Sequence, residues 1–84
     1  MFIKIKTWEQ MEQEFGLNDS ENINLPNNES FSTTMEYLLP KNRIIKVGVE
    51  GGGYTWFTSY GVWRISEEAI EKILTPEEHP QYFI

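Results

Sequence analysis

The chain contains no cysteine and a single histidine among its 84 residues. The first absence removes disulfides, thiolate metal sites and cysteine nucleophiles together. The histidine, His79, stands between Glu78 and Pro80 near the end, and aspartate occurs once, as Asp19. A nucleophile, a base and a group to orient them are therefore hard to assemble, and neither an enzyme nor a cofactor is expected. Long apolar runs are also missing. Nothing approaches the roughly eighteen consecutive apolar residues of a membrane span. The opening Met-Phe-Ile-Lys-Ile-Lys alternates apolar and charged residues, which reads as a strand rather than a signal peptide. Without a secretory signal, the Asn18–Ser20 and Asn28–Ser30 triplets are incidental matches to the glycosylation sequon. Positive charge is scarce overall: the net charge is −6 and the pI about 4.6. That argues against wrapping duplex DNA through a phosphate-neutralising face.

What remains is enough for one small domain spanning residues 1–84. Apolar content of 39% and charged content of 24% suit a globular chain rather than a disordered tail. Ile3 and Ile5 share one face of a first strand. Thr7 with Gln10 forms a capping box, and Trp8, Met11 and Phe15 line one face of the helix that follows. Gly16 is expected to close this helix in the left-handed conformation, with Leu17 making the accompanying apolar contact. Residues 18–29 read as a polar loop pinned by Ile23 and Leu25. In it Asn18, Ser20, Asn22 and Glu29 fall at positions one, three, five and twelve of a calcium loop, but Ile23 takes the position that requires glycine, and the first three ligands lack a carboxylate. A second helix is expected over about 30–39, capped by Ser30 or Ser32 and ended by Pro40.

The period then changes to two. Ile45, Val47 and Val49 share one strand face, with Ile44, Lys46 and Gly48 on the other. Gly51 to Gly53 turn the chain, Tyr54–Thr58 returns, and Val62–Ile65 follows a second turn. Ser66 is read as the cap of a last helix with Ile70, Ile73 and Leu74 as its buried stripe. Thr75 and Glu78 form another capping box, and the chain closes on Tyr82-Phe83-Ile84. The predicted class is α+β, with order β-α-α-β-β-β-α in a small, mainly antiparallel sheet or half-open barrel.

Charge and aromatics are distributed unevenly. Five of the aromatic residues fall between Tyr54 and Trp63, and residues 40–65 carry Lys41, Arg43, Lys46 and Arg64 against Glu50 alone. The flanking segments are both acidic. Rings stack planar bases and cations meet phosphates, so this segment has the chemistry of a site for a planar anion. The candidate ligand-binding residues are Arg43, Lys46, Tyr54, Trp56, Tyr60 and Arg64. Aromatic residues on strands are equally ordinary core. The glycine triplet joins two strands rather than leading into a helix, which makes it a hairpin turn more than a phosphate loop.

The layout resembles small accessory proteins encoded by tailed bacteriophages. The likeness rests on Ile3-Lys4-Ile5-Lys6 leading into Trp8-Glu9-Gln10-Met11 and Phe15-Gly16. It continues through Phe31-Ser32-Thr33-Thr34-Met35, the valine-rich strand 43–50, and Trp63-Arg64-Ile65-Ser66-Glu67-Glu68. The resemblance implies a viral origin, a place in the host cytoplasm, and a role against host immunity, either soaking up nucleotide second messengers or blocking nucleases. It carries no catalytic motif. The expected function is thus a non-enzymatic protein that sequesters a cyclic or linear nucleotide signal. A chain this short has little depth to enclose such a ligand, so a homo-oligomer is expected, with the 82–84 tail as a candidate contact. The alternative is an acidic inhibitor whose helices engage a basic groove of a host defence protein such as a CRISPR nuclease. A third reading is a structural or host-takeover protein with no ligand.

Overall fold

The structure, a computed structural model, describes residues 1–18, 21–26 and 29–84. The sequon and calcium-loop positions Ser20 and Asn28 lie outside the described residues, as do Asp19 and Asn27. The fold is α+β, with three small antiparallel sheets of three strands each among the described residues.

The first sheet is built around β1 (Phe2–Ile5), whose alternation sends Ile3 and Ile5 wholly into the core. β1 lies between β5 (Ile44–Lys46) and β9 (Ile70–Ile73), with Ile3 opposite both Ile45 and Ile73. The third sheet is the run β6 (Gly48–Glu50), β7 (Gly53–Thr58) and β8 (Gly61–Ile65). Only Val47 separates β5 from β6, and its amide donates to the Met1 carbonyl at 2.8 Å. Residues 44–50 are thus one strand bent at Val47, pairing with β1 in its first half and β7 in its second. This bend joins the two sheets into a curved layer. Ile3, Ile5, Ile45, Val47, Trp56 and Ile65, drawn from both sheets, belong to one buried cluster.

The segment between β1 and β5 closes that core. Thr7 caps α1 (Trp8–Phe15) with both bonds of the capping box in place, and Met11 is fully buried. Gly16 takes φ 84° but ψ 168°. That is an extended exit rather than the expected left-handed cap, and it feeds straight into β2 (Leu17–Asn18), leaving Leu17 exposed. Where the sequence predicts a polar loop, β3 (Asn22–Leu25) and β4 (Glu29–Ser32) add a meander to β2, with Ile23 opposite Phe31 and both fully buried. α2 (Thr33–Leu38) starts later than expected, capped by the Ser32 hydroxyl accepting from the Met35 amide, because residues 29–32 are committed to β4.

The last predicted helix does not form. Ser66 is followed by a single 3-10 turn, Glu67–Ala69, and then by strand β9. The Ser66 hydroxyl donates to the Glu68 carboxylate instead of capping the backbone, which holds the Glu68 carboxyl below its ordinary range. The capping signal is local, whereas β1 otherwise has an open edge. The β-branched Ile70 and Ile73 fit that edge better than a helix. At the other end Tyr82 and Phe83 pack against Phe2, the first tilted and the second edge-on, with ring centroids 5.1 and 5.8 Å away, and Asn42 donates to the Tyr82 hydroxyl at 3.1 Å. These tail rings, expected as a subunit contact, pack within their own chain. Among the described residues no helix is long and apolar enough to cross a membrane.

Candidate functional site: the outer face of the β6–β7–β8 sheet

Strand register decides which side of the third sheet each side chain occupies, since directly opposed residues point the same way. Trp56 faces Trp63 and Tyr54 faces Ile65, on the side turned to the core. Phe57 faces Val62, Thr55 faces Arg64, and Gly48 faces Thr55, on the opposite, solvent side.

This divides the six predicted site residues. Trp56 is 7% exposed and belongs to the core cluster, and Tyr54 packs partly buried beside it. The Trp56 ring is closed to a ligand, and the Tyr54 ring is turned to the core side. Arg43 is a fold clamp. Its side chain is 15% exposed, with the guanidinium donating to the Glu36 carboxylate (2.8 Å at one oxygen), to the Lys6 carbonyl (2.6 Å) and to the Ile5 carbonyl (3.3 Å). It reaches all three from a left-handed backbone, φ 60°. Tyr60 is 78% exposed in the turn between β7 and β8, its amide donating to the Thr58 hydroxyl. Lys46 and Arg64 are exposed: Lys46, at the end of β5, reaches the outer face beside Gly48 and Phe57, and Arg64 stands on that face opposite Thr55.

The ring that accompanies them is one the sequence reading leaves out. Phe57 is 67% exposed and its neighbour Val62 is 62% exposed. A hollow of about 380 Å³ lies against Phe57, lined also by Lys46, Val47 and Gly48. The alternation separates Thr55 and Phe57 from Tyr54 and Trp56, but only the register, with Gly48 opposite Thr55, shows which of the two sets shares a face with Gly48. Rings from one face had to be separated from cations of the other.

Electrostatics favour the same surface. Lys4, Lys6, Arg43 and Lys72 pair with Glu71, Glu14, Glu36 and Glu78 respectively. Among the described residues this leaves Lys41, Lys46 and Arg64 without an ion-pair partner, and two of the three sit on the Phe57 face. Carboxylates border it. Glu50 lies on the same face of β6, and Glu29, Glu67 and Glu68 line a smaller depression of about 130 Å³ beside Arg64. Such a surface can stack one planar group and meet a small number of anionic oxygens, but its rim repels a long polyanion. Among the described residues no cluster of three or more histidine, cysteine, aspartate or glutamate side chains is placed to hold a metal.

Gly48 keeps the hollow open. Its backbone is outside the left-handed region, and an added Cβ would meet only the Phe57 ring edge, at 3.9 Å. Glycine in a strand costs about 0.5–1 kcal/mol relative to a residue with a side chain. Gly48→Val is therefore expected to raise the melting temperature by a few degrees while filling the space beside Phe57. Circular dichroism melting checks the first effect and ligand titration the second; a variant that melts lower would show that the strand is bent too sharply there for a branched residue.

No protein family, curated protein or solved structure matches the chain.

Proposed function

We propose that the protein is a non-catalytic binding protein that takes up a nucleotide on the outer face of the β6–β7–β8 sheet. Phe57 stacks the base, and Lys46 and Arg64 meet phosphate oxygens. In the bacteriophage setting that the resemblance implies, the ligand is a cyclic or linear immune-signalling nucleotide and the action is sequestration. The observation that carries this reading is the open Phe57 ring with Lys46 lining the same hollow, and with Arg64 next after Val62 on that face of β8, its guanidinium over Gly53; neither cation has an ion-pair partner among the described residues. The hollow's volume falls near the lower end of small-molecule sites, about 300–1,000 Å³. The acidic rim favours a compact ligand over a nucleic-acid strand.

Thermal shift against a panel of cyclic di- and trinucleotides tests it. At a ligand concentration of a hundred times Kd, binding adds about 2.7 kcal/mol to the native state. For a domain of this size that raises the melting temperature by roughly 10 °C or more. Phe57→Ala should melt like the unaltered chain without ligand and lose the shift.

A second reading follows from the other side of the charge distribution. Glu9, Glu12, Glu21, Glu29, Glu50, Glu67, Glu68 and Glu77 have no ion-pair partner among the described residues, so most of the net charge lies open. Such a surface suits contact with a basic groove of a host defence protein. Absence of any nucleotide shift, together with salt-sensitive binding of a purified nuclease effector, would favour it.

A further inference from the structure

We infer that Gly53 is a positioning residue whose missing side chain seats the Arg64 guanidinium flat against the sheet, where it meets the ligand's phosphate; this rests on the nucleotide reading above. The three glycines of the turn are glycine for different reasons. Gly51 and Gly52 have φ of 57° and 79°, a region where a Cβ is strained. Gly53 has no such need. It is the first residue of β7, opposite Glu50, and its backbone would accept any residue.

Its surroundings supply the reason. Gly53 is buried although its strand position faces solvent. A Cβ built on it would lie 2.5 Å from Arg64 Nη2, 2.8 Å from Cζ and 3.0 Å from Nε. The guanidinium thus occupies the space that any side chain at 53 would fill, and Nη2 donates to the Gly51 carbonyl at 3.4 Å. Arg64 stands on the neighbouring strand opposite Thr55, one step along the same face, so its chain is laid diagonally across β7. A long side chain held in one conformation loses less entropy when it meets a ligand. The charge also stays available, because Arg64 has no ion-pair partner among the described residues. The atoms an added methyl would strike are the far end of a flexible chain. Gly53→Ala should lift the guanidinium away and leave the sheet intact.

Two measurements on the full chain test this. The first needs no ligand: phenylglyoxal modification followed by peptide mass spectrometry. Arg64 should react several-fold faster in Gly53→Ala than in the unaltered protein, while Arg43, clamped by Glu36, serves as the internal control with an unchanged rate. The second is titration with cyclic di-AMP. Gly53→Ala and Arg64→Ala should each weaken binding about tenfold, and the double variant no further than either alone. An unchanged Arg64 reactivity would overturn the seat, as would additive losses in the double variant. Failure of the unaltered protein to bind any nucleotide would end the nucleotide reading instead, with the modification rates still deciding whether Gly53 positions Arg64.

Discussion

Trp56→Ala is expected to remove about half of the stability of the chain, whereas Phe57→Ala, one residue along, is expected to remove almost none. Trp56 is enclosed in one buried cluster with Ile3, Ile5, Ile45, Val47 and Ile65. Truncating a buried tryptophan costs about 3–5 kcal/mol, the lost transfer energy plus the cavity left behind. A domain of this length has a total stability of only roughly 5–10 kcal/mol. Phe57 has most of its ring in solvent already, so its removal should lie within about 0.5 kcal/mol of neutral. Urea unfolding followed by far-ultraviolet circular dichroism separates the two. A stable Trp56→Ala protein that had lost nucleotide binding would place the ligand ring on the inner face and contradict the account.

The second large effect belongs to Arg43. Replacing it with alanine removes the hydrogen bonds to Glu36, Lys6 and Ile5 and leaves the Glu36 carboxylate half-buried without its partner. Breaking a fully buried pair costs about 3–5 kcal/mol; with side chains 15% and 30% exposed, a loss of about 2 kcal/mol is expected. The backbone adds a finer prediction. A left-handed conformation costs a non-glycine residue about 1–2 kcal/mol, so Arg43→Gly recovers part of the loss and should be more stable than Arg43→Ala. Denaturant midpoints of the two variants give the order directly. Full stability in Arg43→Ala with a loss of nucleotide binding would return this residue to the site.

Much of the fold is legible in short stretches of sequence. Thr7 with Gln10 announces α1, the Ile3/Ile5 alternation announces β1, and the glycines at 51–53 announce the hairpin between β6 and β7. These features are set by neighbours a few residues apart. The failures arise where a distant partner decides. Ser66-Glu67-Glu68 carries the chemistry of a helix start, yet Ile70 and Ile73 are claimed by β1, about seventy positions earlier in the chain. Asn22–Leu25 and Glu29–Ser32 hold enough polar residues to read as loop, and become strands because Ile23 and Phe31 bury each other's flanks under α1.

The sequence groups rings and cations in residues 40–65 but does not say which of them lie together. In the structure Lys46 and Arg64 lie on the outer side of the sheet. Choosing the ring required the cross-strand register, which aligns Phe57 rather than Trp56 with those cations. Arg43 looks like a free cation in sequence, and only its approach to Glu36 and the β1–α1 junction makes it a structural residue. Gly53 gives no signal of its own inside a glycine triplet; its role depends on where Arg64 lies.

The most direct test of the open-face site is a nuclear magnetic resonance titration of the isotopically labelled chain with cyclic di-AMP. The account predicts shift changes clustered at Lys46, Gly48, Phe57, Val62 and Arg64, with the Trp56 indole signal nearly still. Changes centred on Tyr54 and Trp56, or none anywhere along β6 to β8, would contradict it.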